Sequence, residues 1–398
     1  MEVLLLAIFI GIILGIITGL TPGIHINLVT SIIISYADFL LKKISPLSLI
    51  IVITSMSVTH TILDIIPSTL LGIPNTENMY ALLPAHKLTL EGKAKTAINY
   101  GLMGGAIGII VTILITPLII TIIPLVYGVI KESISLILIG IISLIILRSK
   151  EKTKSLLFFL TTGIIGILSF GVKTIDQPLL PLLSGLFGVS SIILSIKNKV
   201  ILKEQEEKSQ ENITTKEVIS YGIITTLASF LTNFLPGLTS SHTSLIANKI
   251  KKVKKQEEYI ILSNATNASA TIIGFIAFYS LNKTRSGAIV AIQRITNTLD
   301  LKTLVLILGV TLITTSIVIL LALKISKICL KYASKINYQK LNIFLLILII
   351  SVVILITKIE GILILIISTS IGILAEKLNI EKIHLTGCLI LPVIIYTF

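Results

Sequence analysis

This chain is short of charge. Only 13 % of its 398 residues are Asp, Glu, Lys or Arg, whereas an ordinary soluble domain carries about a quarter. With 54 % hydrophobic residues and a mean hydropathy of +1.02, a soluble fold is excluded, and lipid is the expected solvent for most of the surface. Cysteine is scarcer in number, with two in the whole chain. Cys329 and Cys388 stand far apart in apolar surroundings with no Cys-x-x-Cys spacing, so thiol redox and thiolate-metal chemistry have no motif. No His-Glu-x-x-His, Cys/His cluster or Gly-x-Ser-x-Gly occurs, which leaves metal-assisted and serine hydrolysis without a motif as well. No catalytic residue, metal site or cofactor is therefore expected.

What is present is apolar run after apolar run, each near the roughly 20 residues that cross a bilayer. They fall at 3–20, 46–66, 97–127, 133–147, 156–170 and 178–196, and again at 218–235, 259–281, 301–323, 341–357, 362–375 and 383–398. Shorter, interrupted pieces lie at 27–41, 67–85, 238–250 and 284–298. The expected fold is all-α, a polytopic membrane protein of about ten to twelve spans with re-entrant or broken helices. The first run lacks a basic leading region and a small-residue cleavage site, so it is expected to stay in the mature protein. The net charge of +14 sits in short loops, a pattern set by cytoplasmic loop charge and anionic lipid rather than by nucleic acid. A multi-pass protein of the cell membrane is expected.

The polar stretch 197–216 is nearly charge-balanced and reads as a solvated linker between two halves, 1–197 and 218–398, joined by 198–217. An internal repeat supports the division. Residues 18–25 are echoed by 232–239, and His25, Leu28 and Val29 then match His242, Leu245 and Ile246 across three extra residues. An ungapped match lays 57–83 on 264–290, Asn75 on Asn282 and Asp64 on Thr271. Basic loops at 148–154, 249–255 and 324–340 are expected to be cytoplasmic. The span from Ala97 then starts inside and its counterpart from Leu301 outside, so the two repeats are expected to be inverted.

Each half carries a Pro-Gly break followed by small polar residues: Pro22-Gly23 with His25 and Asn27, and Pro236-Gly237 with Thr239, Ser240, Ser241, His242 and Thr243. Proline removes a donor and glycine admits non-helical angles, so the helix has to stop. Broken backbone at membrane depth is tolerated only where protein or a watery cavity satisfies it. Paired breaks at corresponding positions mark substrate sites in transporters, although a kink without a ligand explains one such motif alone. Each half also has a hairpin-like tip, Asn75, Thr76 and Glu77 in the first and Asn282, Lys283 and Arg285 in the second. Lys283 and Arg285 suit an anion, or else snorkel to headgroups. Thr59, His60, Asp64, Glu77, Asn264 and Asn267 are the candidates for a coupling-ion site, with His60 and Asp64 four apart on one helix face. A satisfied polar pair is the alternative for those two. Gly101, Gly104, Gly105 and Gly108 read as a close-packing face.

The stretches 15–23, 67–76, 83–94, 184–190 and 370–378 together resemble the large permease subunit of tripartite tricarboxylate transporters, in order along nearly the whole chain. The chain resembles the stand-alone archaeal branch of that family, with Pro74-Asn75-Thr76 where Pro-Gly-Thr is common. The resemblance implies uptake of a small organic anion, a di- or tricarboxylate, driven by a Na⁺ or H⁺ gradient. In bacterial systems it also implies a small membrane subunit and a periplasmic binding protein; a homodimer is a further candidate assembly. An intramembrane enzyme acting on lipid or peptide, and a channel built on the same hairpins, are the competing classes.

Overall fold

The computed structural model describes residues 2–21, 26–72, 79–175, 177–198, 203–206, 213–253, 255–333 and 338–397. Among them there is no β-strand. The helices in order are α1 (Glu2–Leu20), α2 (Ile26–Ser35), α3 (Ala37–Leu41), α4 (Pro46–Leu63), α5 (Ile65–Leu71), α6 (Met79–Leu90), α7 (Ala94–Ile130), α8 (Ile134–Arg148) and α9 (Lys152–Gly171). They continue as α10 (Leu179–Leu183), α11 (Ser190–Asn198), α12 (Thr215–Phe234), α13 (Ser240–Lys251), α14 (Gln256–Leu281), α15 (Gly287–Thr296), α16 (Leu301–Ala333), α17 (Tyr338–Lys377) and α18 (Gly387–Thr397). Local chemistry sets several ends. Ser45 caps α4, its hydroxyl taking the Ser48 N–H at 3.2 Å with Pro46 in the first turn. Gly72 closes α5 in the left-handed region at φ 65°.

Eight stretches of described helix are long and apolar enough to cross a bilayer, so the chain is an all-α polytopic integral membrane protein. Two exceed one crossing: Ala94–Arg148 with 55 residues and Gln339–Lys377 with 39, against the roughly 20 that suffice. The first contains Pro117 and Pro124 and a 3₁₀ turn at Lys131–Ser133. The second breaks at Lys358, φ 54° and ψ −151°. The sequence reading divides the chain at both places and so arrives at more spans. It also counts α12, a helix of spanning length whose Thr, Ser and Asn content keeps it out of the apolar eight.

The α4–α5 rod and α14 form the centre. Their most apolar windows are 94 % and 89 % buried, against 28–50 % in the other six stretches. Outer helices turn Leu114, Leu125, Val129, Leu136 and Leu355 outward, as a lipid-facing belt requires. The two central helices are also the most polar inside, with Thr54, Ser55, Ser57, Thr59, His60 and Asp64 on one side and Ser263, Asn264, Thr266, Asn267 and Ser269 on the other, all buried. Their neighbours are crossed: α7 packs on α14 while α16 packs on α4, and α13 meets α6 while α2 meets α15.

Small residues let the backbones meet. A Cβ on Gly11 would stand 2.5 Å from the Val52 carbonyl oxygen and one on Gly15 2.8 Å from that of Met56, which joins α1 to α4. A Cβ on Gly104 or Gly108 would collide with the backbone of Ile261 or Ala265, which joins α7 to α14. Gly105 differs from the expected face, since a Cβ there would meet nothing within 4 Å. Gly104→Ala should therefore cost about 1–3 kcal/mol through forced separation. Gly105→Ala should be neutral or gain up to about 1 kcal/mol of helix propensity. Thermal unfolding in detergent checks this, and equal midpoints for the two variants would contradict the close α7–α14 contact.

Candidate functional site

The second-half break is built around one turn. Past Phe234 the chain turns through Leu235, Pro236 and Gly237, and Gly237 adopts φ 84°. A Cβ there would meet the Ile390 α-carbon at 3.0 Å, so both the turn and the α18 backbone against it demand glycine. The Leu235 carbonyl, at the end of α12, accepts the Leu238 N–H at 3.3 Å and the Arg285 Nη1 at 3.2 Å. Thr239 is extended, φ −100° and ψ 169°, and starts α13.

His242 completes that start. Its Nδ1 accepts the Thr239 backbone N–H at 3.1 Å, so the ring proton sits on Nε2, which donates to Thr386 Oγ1 at 3.0 Å. The Thr386 hydroxyl donates in turn to the Ile383 carbonyl. A fully buried imidazole is thus fixed in one neutral tautomer by α13 on one side and the 3₁₀ turn Lys382–Thr386 on the other. His384, 2 % exposed, lies in the same turn, and its Nε2 has no hydrogen-bond partner among the described residues. Ser240, Ser241 and Thr243 are buried beside His242. The Ser240 hydroxyl donates to Asn267 Oδ1 at 3.3 Å, and Ser244 reaches Ser263 Oγ at 3.4 Å. The first turn of α13 is so joined to α14.

The described ion-site candidates, Thr59, His60, Asp64, Asn264 and Asn267, are buried on α4, at its end and on α14. Asp64, 7 % exposed, stands at the joint between α4 and α5, and its carbonyl accepts the Ser68 hydroxyl at 2.6 Å. Gly101 of α7 brings the next residue, Ile65, and the Asn264 amide to one place, since its added Cβ would touch Ile65 and lie 3.4 Å from Asn264 Nδ2. That amide donates to the Ile260 carbonyl at 2.9 Å. His60 is buried, with its backbone against Gly19 of α1. Thr59 packs on Gly15 of α1, and its hydroxyl has no hydrogen-bond partner among the described residues. Among the described residues no three of His, Cys, Asp and Glu cluster as a metal site would need.

The tip after α14 is held by side chains. Asn282 is left-handed at φ 53°, Gln293 Nε2 donates to its Oδ1 at 3.4 Å, and the Thr284 hydroxyl donates to Gln293 Oε1 at 3.3 Å. Lys283 Nζ stands 5.7 Å from the Tyr127 ring centre. Pro22, Gly23, His25, Asn75, Thr76 and Glu77, and the side chain of Asn27, lie outside the described residues. On the first-half side the Thr69 carbonyl, in the last turn of α5, accepts His86 Nδ1–H at 3.1 Å and the Thr89 hydroxyl at 3.0 Å, both from α6. Burial holds the His86 imidazole below its ordinary value, and the Thr69 contact opposes this in part.

Sequence reasoning missed Thr386, His384, Thr89 and the support role of His86. The first two sit inside an apolar run that reads as a plain span, and nothing local betrays a partner more than a hundred residues away. Thr386→Val keeps the shape but leaves the buried His242 Nε2–H without an acceptor, a cost of about 1–3 kcal/mol. A denaturation series in detergent should read that loss, and wild-type stability would break the proposed tautomer chain.

Comparison with known proteins bears on the chain as a whole. The profile of the Tripartite tricarboxylate transporter TctA family matches residues 5–387. An uncharacterized protein of Methanocaldococcus jannaschii is 30 % identical over 292 residues, 72 % of either chain. No solved structure matches.

Proposed function

This chain belongs to the tripartite tricarboxylate transporter TctA family, and we propose on that premise that it is a secondary active permease for a di- or tricarboxylate. On family membership it is a membrane permease and not an enzyme. The observation that carries the finer reading is the break at Leu235–Thr239 in a helical membrane bundle, with Leu235, Leu238 and Thr239 buried and Pro236 exposed, and with the Arg285 and His242 side chains bonded to its backbone. An anion leaving water must be met by positive charge or by N–H and O–H donors. Thr239 to Thr243 supply hydroxyls and amides at a helix start, where the dipole favours an anion. Lys283 and Arg285 supply the cationic side, and the Asn282 amide adds neutral donors beside them. Pro22, Gly23, His25, Asn27, Asn75 and Thr76 are proposed as the first half's share.

Coupling to Na⁺ or H⁺ falls to Asp64 with Thr59, His60, Glu77, Asn264 and Asn267, because a buried carboxylate needs a cation or a proton to offset its desolvation. The match to a Methanocaldococcus jannaschii protein supports a place in the stand-alone archaeal branch. Uptake of radiolabelled citrate into proteoliposomes tests the whole reading. Wild type should show saturable uptake that collapses without the ion gradient, and Asp64→Asn should lose gradient-driven uptake while keeping citrate exchange. Gradient dependence unchanged in Asp64→Asn would remove the ion assignment, and unsaturable flux would favour a channel.

We further read the permease as two inverted repeats that alternate access, 1–197 and 218–398. The register that lays 57 on 264 also lays Ala94, first of α7, on Leu301, first of α16. Contacts agree with it: Gly15 on Thr59 and Gly19 on Leu63 are matched by Ser229 on the Thr266 carbonyl at 3.0 Å and Asn233 on that of Ala270 at 3.2 Å. Ile65, near the end of the α4–α5 rod, meets Gly101 near the start of α7, as helices entering from opposite faces do. Single cysteines placed at Glu91 and Thr298, equivalent and exposed, should then react with an impermeant maleimide from opposite sides of the membrane. Labelling from one side would defeat the inversion.

A further inference from the structure

The α6–α7 joint has an incomplete start. Lys93 occupies the cap position of α7 and makes no side-chain cap bond, and a lysine there offers no acceptor and the wrong charge for a helix N-terminus. The equivalent position in the second half is Asp300, whose Oδ1 takes the Thr303 N–H at 2.9 Å. One repeat caps its long helix from within. The other does not.

The missing cap comes from the polar connection between the halves. Gln205 Oε1 accepts the Ala94 N–H at 3.0 Å, and its Nε2 donates to the Thr89 carbonyl at 3.1 Å. One amide so bridges the end of α6 and the start of α7. The Glu206 N–H donates to the Gly92 carbonyl at 2.8 Å, and a Cβ on Gly92, which adopts φ 91°, would stand 3.0 Å from the Glu204 carbonyl oxygen. Glycine is needed there both for the turn and for the connection lying over it. Residues 203–206 are therefore seated on the α6–α7 turn.

What the turn controls lies at the other face of α6. His86 and Thr89 of α6 hold the Thr69 carbonyl that ends α5, and α6 packs on α13 and α14 of the opposite half. The Thr89 hydroxyl is shared between the Thr69 carbonyl of α5 and the Ala85 carbonyl of α6, and its own carbonyl takes the Gln205 amide that also meets Ala94, so α5, α6, the connection and α7 are linked through Thr89 and Gln205. We propose that Gln205 is a positioning residue: it clamps the α6–α7 hinge and sets the angle at which α6 presents the end of α5 to the second half. It touches no substrate. Its bearing on rate rests on the transport reading, while the clamp itself does not.

Two measurements on the full chain separate these. In lipid nanodiscs, hydrogen exchange of the segment carrying Ala94 should accelerate at least about tenfold in Gln205→Ala, since a tenfold change corresponds to a loss of about 1.4 kcal/mol, within the range for a bridging amide. Gln205→Glu can still accept from Ala94 but cannot donate to Thr89, and should fall between. Glu204→Ala, which contributes only its carbonyl, should match wild type. In proteoliposomes with labelled citrate, Gln205→Ala should lower Vmax severalfold with KM within about twofold, and Gln205→Glu should recover part of it. Wild-type exchange in Gln205→Ala overturns the clamp. Accelerated exchange with unchanged Vmax overturns its positioning role. A wild-type protein that moves no citrate counts against the transport reading for that substrate, and the exchange result still decides the clamp.

Discussion

In a bundle solvated by lipid, every backbone N–H and C=O at depth has to find its partner inside the protein. Helix ends are where that demand is sharpest, because each leaves several such groups without an intrahelical partner. Here several described ends are served by side chains, most of them from other elements. Arg285 serves the end of α12, His242 and Thr386 the start of α13, His86 and Thr89 the end of α5, and Gln205 both the end of α6 and the start of α7. A broken helix costs several unsatisfied groups, so each break is possible only together with the distant residue that meets it. The breaks tie the architecture together.

The two halves meet the same constraint with different residues. On the proposed repeat, α1 touches α4 through Gly11, Gly15 and Gly19, while the matching α12 touches α14 through Ser229 and Asn233. The first interface gains dispersion from backbone approach. The second gains hydrogen bonds to carbonyls of α14 and an added hydroxyl chain, Thr112 to Thr226 at 3.0 Å and Thr226 to Ser269 at 3.4 Å. Across the halves the roles exchange, since α7 meets α14 through glycines and α16 meets α4 through Thr314 on Ser55. Each central helix thus has one close, smooth neighbour and one hydroxyl-bearing neighbour.

Much of this was legible in the sequence where residue type dictates backbone. Pro236-Gly237 announces a break because neither residue can continue the helix, and the glycines of α7 announce a close neighbour, though not that Gly105 would face open space. Apolar runs locate the helices, while Lys358 and the Lys131–Ser133 turn divide the long ones near where charges interrupt the runs. What stayed hidden is what pairs across distance. Thr386 and His384 lie in a run that looks like lipid-facing helix, and Gln205 lies in a charge-balanced stretch that looks fully solvated. A hydrogen bond between residues more than a hundred positions apart leaves no local pattern, and one sequence cannot display it.

That distribution of partners has a consequence for a carrier. If α6 or α13 changed its angle alone, it would strand a carbonyl or an N–H that its present partner serves, at about 1–3 kcal/mol for each buried group. Movement is therefore favoured where whole sets of ends and partners travel together, or where one partner is replaced by another in a discrete second arrangement. The central helices are poor places for such an exchange, because side chains such as Thr266 and Thr271 spend their hydroxyls on their own helix and the backbones are in contact. The joints are better ones: the turn at Gly92 and the break at Gly237 combine permissive backbone with bonds borrowed from other elements, and the α4–α5 joint holds the buried Asp64 carboxyl. On the proposed reading the anion and its coupling ion act at such joints, where a new charge can replace a borrowed cap instead of having to disrupt a finished helix.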